Sequence, residues 1–109
     1  MKPIPKRMLV HSVKYKPYSD GQEGASYGTE VNLTNVKVDD KKTLINTAEG
    51  QEIVGNAIMF YDYVNSSGLT SEPLKHSLIT FKTRTYHIVD VEILYSNSNT
   101  PHHYEVILK

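Results

Sequence analysis

The sequence predicts an all-β protein, a small β-barrel or sandwich of five to six mainly antiparallel strands with long polar loops. Short segments rich in alternating, β-branched or aromatic residues are separated by clusters of Gly, Pro, Asn, Asp and Ser. No stretch of ten residues or more shows the helical spacing of apolar residues. The 109 residues have the size of one domain, so we expect a single domain over residues 1–109 with an extended N-terminal arm of about residues 1–7.

The first predicted strand covers residues 8–16, where alternate residues share one apolar face. These are Leu9, His11, Val13 and Tyr15. Residues 17–28 are rich in turn formers and predict a long hairpin connection. In the second strand Val31 and Leu33 fall on odd-numbered positions, whereas Val36 and Val38 fall on even-numbered ones, so the apolar face changes after Leu33. We therefore expect a bulge or bend near Thr34 and Asn35.

The second half alternates between polar loops and β-rich runs. Residues 39–52 are polar and longer than most connections, which predicts a functional or disordered loop. Residues 53–64 are apolar at both parities and predict a strand covered on both faces. After a second polar loop at 65–73, the remaining segments predict a hairpin and a final strand. Their ranges are 78–81, 86–95 and 103–108, with a polar loop at 96–101.

Composition narrows the classes of function. Twelve basic and twelve acidic residues give a formal net charge of zero. The chain as a whole therefore has no net electrostatic attraction to nucleic acid or to a membrane surface. The residues before Asp20 are locally basic, with Lys or Arg at 2, 6, 7, 14 and 16. Cysteine is absent, which excludes disulfides, thiolate nucleophiles and cysteine-rich zinc sites. Without an apolar run of signal-peptide or transmembrane length, we expect a chain that stays soluble where it is made.

Three patterns raise the question of chemistry. Residues 24–28 match the G-x-S-x-G nucleophile motif but lack the strand-turn-helix context that it needs, so an ordinary turn is expected. In a strand, His103 and Glu105 would share a face while His102 points away, leaving too few ligands for an ion. The other histidines stand in separate segments at 11, 76 and 87. We expect no metal and no cofactor.

Acid residues in apolar surroundings are candidates for proton transfer. Asp62, Asp90 and Glu92 fall in such segments, and Asp62 is the first to examine. The more ordinary interpretation is a carboxylate that faces solvent or caps a neighbouring backbone. We expect that interpretation to hold, and therefore no catalytic residue.

Tyrosine dominates the aromatic residues, with eight Tyr against two Phe and no Trp. Tyrosine suits protein interfaces and cores, and it can also stack on bases. The candidates are Tyr18, Tyr27, Tyr61, Tyr63 and Tyr104. Because basic residues cluster only at the start of the chain, interface or core use is favoured. The proline-containing arm, residues 1–7, should be extended, either as a frayed terminus or as a strap on a neighbouring subunit.

Four segments in order resemble the small minor capsid proteins of tailed bacteriophages, which belong with the head-tail connector or head-completion proteins. They are Pro3-Ile4-Pro5-Lys6 leading into Leu9 to Val13, Asn56 to Asp62, Phe81 followed by Tyr86 to Val89, and His102 to Val106. The resemblance runs over most of the chain. The chain departs from the family pattern at Thr83, where a glycine would be expected in the turn.

The resemblance implies a β-barrel subunit of the virion, made in the host cytoplasm, that assembles as a ring at the head-tail junction. Such a ring bridges portal or adaptor and tail proteins and helps to retain packaged DNA, with no membrane partner. By position, we assign partner contacts to the two long loops and the basic arm. The residues are Asp39, Asp40, Lys41, Lys42, Leu44, Ile45, Asn65, Leu69, Lys2, Lys6 and Arg7. No active site comes with the family.

Two other functions remain open from the sequence. A barrel of the oligonucleotide-binding type acting on single strands would use the tyrosines and the basic N-terminal stretch. A small hydrolase would depend on Asp62 or Ser26.

Overall fold

A closed antiparallel barrel forms the centre of the computed structural model, which describes residues 2–21, 24–97 and 99–109. Within those residues, six strands close the barrel in the order β1-β4-β7-β10-β9-β8. Two further pairs of strands, β2-β3 and β5-β6, stand outside it as separate two-stranded sheets. The all-β prediction is confirmed, and the closed sheet is a barrel and not a sandwich.

The strand bounds are as follows. The barrel strands are β1 (His11–Lys16), β4 (Val31–Asp39), β7 (Ala57–Asp62), β8 (Leu78–Phe81), β9 (Arg84–Tyr95) and β10 (Pro101–Leu108). The outer hairpins are β2 (Tyr18–Gly21) with β3 (Gly24–Tyr27), and β5 (Thr43–Thr47) with β6 (Gly50–Gly55). A short 3-10 turn, Lys6–Met8, precedes β1.

The core fills the barrel interior with alternate residues from each strand, as the two-residue period of a strand requires. In β7, for example, Ala57 and Met59 are fully buried while Ile58 and Phe60 are partly exposed on the outside. The other interior side chains follow the same alternation, except across the break in β4 described below. They include Val13, Tyr15, Leu33, Val36, Ile79, Ile88, Tyr104, Val106 and Leu108.

The predicted break in β4 is present. His11 pairs with Val36 and Val13 pairs with Leu33, so β4 has one residue more than β1 across this interval. Asn35 takes the left-handed conformation there, with φ of 55°. The bulge resets the parity, so Leu33 and Val36 both point into the core.

The prediction of an unstructured polar loop over residues 39–52 is wrong. Most of this segment forms the β5-β6 hairpin, and the apolar run at 53–64 is divided between β6 and β7 at Gly55. Residues 43–52 show no alternation of apolar and polar side chains, which is the usual sequence sign of a strand. Both faces of this hairpin are exposed, so neither face has to be apolar. Gly55 is required at the division, since a Cβ there would overlap Ile107.

The predicted hairpin of β8 and β9 is confirmed, with a tighter turn than expected. Phe81 pairs directly with Arg84, leaving Lys82 and Thr83 as the turn residues. Lys82 occupies the left-handed region with φ of 57°. Thr83 is not among the residues with positive φ, so the absence of glycine at this position does not loosen the turn.

Strand direction places the two outer hairpins at opposite ends of the barrel. The β2-β3 hairpin leads into the start of β4, and the β5-β6 hairpin follows its end. We call the first end the loop end, because the 63–77 and β9-β10 connections also emerge there. We call the other end, which carries the β5-β6 hairpin, the arm end. The radius of gyration of 14.5 Å exceeds the ~13 Å expected for a compact chain of this length, as projecting hairpins would produce.

Candidate assembly surfaces

The β5-β6 hairpin, which we call the arm, carries three exposed apolar side chains outside the barrel. Leu44 and Ile53 face each other across it, and Ile45 pairs with Glu52. Leu44, Ile45 and Ile53 are 49%, 45% and 39% exposed. The turn closes through Gly50, whose φ of +124° suits glycine. A two-stranded hairpin alone is marginally stable in water, and these three side chains take no part in the barrel core.

The N-terminal segment, residues 2–9, lies along the outside of its own barrel. The backbone N–H of Ile4 donates to Asp62 Oδ1 at 2.9 Å, and the Ile4 carbonyl accepts from Asn65 Nδ2 at 2.8 Å. Leu9 is buried, whereas Met8 and Val10 are 55% and 64% exposed. Over the described part of residues 1–7 these bonds fasten the segment to its own barrel, so it is not a frayed terminus. Its contact with a neighbouring subunit stays a prediction. The segment is not extended throughout, since Lys6–Met8 forms a 3-10 turn.

Asp62 is a structural carboxylate. It is fully buried at the end of β7, and its Oδ2 accepts from the backbone N–H groups of Val64 and Asn65 at 3.0 and 2.8 Å. Together with the bond from Ile4, these contacts occupy both carboxylate oxygens with backbone donors. The carboxylate therefore ties the N-terminal segment and the following turn to the barrel, and the ordinary interpretation of this residue is supported.

His102 and His103 contact each other, contrary to the expectation that their side chains diverge. Their Nδ1 atoms are 2.7 Å apart, because a register shift between Pro101 and His103 interrupts the alternation of β10. His102 Nε2 donates to the Lys2 carbonyl oxygen at 2.6 Å, and His103 Nε2 lies 2.9 Å from Glu105 Oε2. The pair fastens the start of the N-terminal segment to β10.

The remaining histidines do not converge. The ring of His11 lies against Phe81, and its Nδ1 accepts the N–H of Val38 at 3.0 Å. Burial, and then the nearby Lys37 and Lys82, lower the pKa of His11. His76 lies against Tyr18. Among the described residues no group of three or more His, Asp or Glu side chains is placed to hold a metal ion.

The candidate tyrosines divide between core and surface. Tyr61 and Tyr104 are buried in the barrel, and burial raises the pKa of both phenols. The Tyr61 hydroxyl accepts the N–H of Leu69 at 3.1 Å. Tyr18 and Tyr27 pack edge to face on the β2-β3 hairpin with ring centroids 5.8 Å apart, and Tyr63 is 49% exposed.

The loop of residues 65–73 begins as an anchored segment. Thr34 and Ser67 exchange backbone hydrogen bonds at 3.0 and 3.1 Å, and Ser66 Oγ donates to the Asn35 carbonyl. Leu69 packs against the core. Two residues assigned to partner contacts, Asn65 and Leu69, are thus engaged within the chain. The loop lines one side of an open cleft of about 940 Å³ at the loop end.

The other assigned contact residues lie on the surface. Lys2, Lys6 and Arg7 are exposed on the N-terminal segment, and Asp40, Lys41 and Lys42 are exposed at the base of the arm. Asp39 is partly buried and pairs with Lys37 at 3.8 Å. The assignment did not include three other exposed apolar residues, Ile53, Met8 and Val10. Ile53 could have been grouped with Leu44 only by knowing that the two residues pair across a hairpin, and the sequence did not predict that hairpin.

The G-x-S-x-G motif at residues 24–28 begins in an exposed strand. Ser26 lies in β3 and pairs with Ser19 across an exposed two-stranded sheet. Residues 24–28 are therefore not followed by the helix that a nucleophile motif needs. In the described part of the chain no helix has the length and hydropathy to cross a membrane.

Comparison with known proteins gives one match. A family model described as minor capsid protein matches residues 5–108. No curated protein and no solved structure matches the chain significantly. The family match covers residues 5–9 of the N-terminal segment, the barrel and both outer hairpins. The chain therefore belongs to the minor capsid protein family of bacteriophages and has a structural role in the virion.

Proposed function

We propose that the chain is a subunit of the phage head-tail connector, forming a ring that bridges portal or adaptor and tail proteins and helps to retain packaged DNA. The single observation that supports this most is the pair of hairpins at opposite ends of one barrel. A connector layer must contact the layer above and the layer below. A barrel with an outer hairpin and loops at each end offers a surface for each.

The exposure of the arm supports the same function. Three apolar side chains of the arm contribute nothing to the core of the isolated barrel because they are exposed. They are Leu44, Ile45 and Ile53. Burying them against a partner would remove apolar surface from water, which stabilises the contact by about 25 cal/mol for each Å² buried. A closed barrel with its own core that also carries such an arm is suited to assembly.

The experiment is electron microscopy of the purified chain mixed with a portal or adaptor ring. We expect an additional ring of density on the portal, and mass spectrometry should find the chain in purified virions. Virions without the chain would refute the proposal.

A variant set tests the role of the arm. Replacing Leu44, Ile45 and Ile53 with Thr keeps β propensity and should abolish ring density without lowering the barrel's melting temperature. The matched control replaces Asn46 and Gln51, which face each other on the same arm, with Ser. The control should bind normally, and loss of binding in both variants alike would show that the apolar residues are not responsible.

The barrel is also compatible with the alternative function of binding single-stranded nucleic acid. The buried positions of Tyr61 and Tyr104 count against it, because a ring inside the core cannot stack on a base. Fluorescence anisotropy with a labelled single strand at low salt separates the two functions. Binding that weakens steeply with salt would support the alternative, and no binding at low salt would remove it.

A further inference from the structure

We infer that the arm of one copy docks in a groove beside the N-terminal segment of the next copy, so that the ring is closed by a head-to-tail contact. This inference rests on the proposed ring and names the surfaces that form it. A contact between two different surfaces of the same chain generates a ring when the rotation between copies closes. The arm and the groove are two such surfaces.

The groove has about 310 Å³ of open space on the outer face of the barrel. Its apolar lining comes from the N-terminal segment and β7, and its polar lining comes from His103 and the ion pair of Lys37 and Asp39. The residues used here are Ile4, Met8, Leu9, Phe60, Lys37 and Asp39. The chain's own arm does not fill the groove, because the apolar residues of the arm remain exposed.

Charge identifies the occupant. Between Thr43 and Gly55 the arm has two acids, Glu49 and Glu52, and no basic residue. The N-terminal segment has Lys2, Lys6 and Arg7 and no acid. Within the described residues, no ion pair involves Lys6, Arg7, Glu49 or Glu52. The arm of a second copy therefore offers both an apolar and an electrostatic match to the groove.

The same charges disfavour a symmetric contact. Two arms placed against each other would bring Glu49 and Glu52 of both copies together, and like charges across an interface cost free energy. Two N-terminal segments would repel in the same way through Lys6 and Arg7. The asymmetric contact is the one in which opposite charges meet.

Cysteine cross-linking tests the contact, because the natural chain contains no cysteine. Met8 and Ile45 are exposed on the two surfaces. Virions carrying M8C/I45C, treated with a short thiol cross-linker, should give a ladder of covalent oligomers under denaturing conditions. Each single variant should remain monomeric. Dimers from I45C alone would overturn the inference in favour of an arm-to-arm contact.

The control pairs Ile45→Cys with Val64→Cys, since Val64 is 67% exposed at the opposite end of the barrel. An equal ladder from this control would show that the cross-linking does not report docking. If virions contain the chain but M8C/I45C gives no ladder, the docking inference fails while the connector function stands. If virions lack the chain, the connector function itself fails.

Charge reversal supplies a second readout. Introducing K6E/R7E or E49K/E52K into the M8C/I45C chain should weaken the contact about tenfold and shorten the ladder accordingly. Combining the two reversals should restore it, because opposite charges meet again. A combined variant no better than either reversal alone would contradict the proposed pairing.

Discussion

Replacing Asp62 with Asn should destabilise the protein and release its N-terminal segment. The carboxylate accepts from Ile4 on one oxygen and from Val64 and Asn65 on the other. An Asn oxygen can still accept from Val64 and Asn65, but its NH₂ group would then face the N–H of Ile4. One partly buried donor loses its acceptor, which costs about 1–3 kcal/mol.

The loss can be measured by urea unfolding and by the melting temperature. For a chain of this length, about 2 kcal/mol lowers the melting temperature by roughly 8 °C. Asp62→Ala leaves all of these donors without the carboxylate and should cost more, about 3–5 kcal/mol. Amide hydrogen exchange should show the largest loss of protection at Ile4 in the Asn variant.

The matched control is Asp90→Asn, which removes the same charge from an exposed carboxylate. Asp90 bonds to the N–H of the adjacent Val91 and pairs with Lys75 at 3.6 Å on the surface, so its removal should cost less than about 0.5 kcal/mol. The reasoning is refuted if Asp62→Asn is as stable as the control and Ile4 stays equally protected.

Two further predictions concern the barrel. Because the lowered pKa of His11 favours its neutral form in the folded state, acidification below the unfolded value of about 6.5 should destabilise the protein. His11→Gln keeps an acceptor for Val38 and should lessen the loss of stability on acidification below about pH 6.5, whereas an unchanged loss would contradict this. Gly55→Ala should cost about 1–3 kcal/mol through overlap with Ile107, and Ile107→Ala should recover part of that cost in a double-mutant cycle. Strictly additive losses would show that the two side chains do not meet.

The barrel strands were predictable because burial imposes a period on them. The alternation around Val13 and the parity change after Leu33 both follow from side chains pointing into one interior. The arm was missed for the opposite reason. Its strands are stabilised by pairing with each other, and exposed strands need no apolar row that a sequence could reveal.

The fastening of the N-terminal segment could not be predicted from the sequence. Ile4 and Asp62 are 58 residues apart, and nothing in either local pattern points to the other. The contact between His102 and His103 depends on a register shift with β9, which is set by pairing and not by the two histidines themselves. The basic character of residues 2–7 was visible, but the groove beside it appears only when the segment packs on the barrel.

The placement of the hairpins gives β4 a mechanical role. A pull that separates the two ends of the protein through its hairpins runs along the nine residues of β4, about 30 Å of extended chain. The strand is paired with β1 on one side and β7 on the other, so such a load shears rows of hydrogen bonds together instead of unzipping them one by one. The weak point in this tether is Asn35, where the bulge interrupts the ladder and Thr34 turns to Ser67.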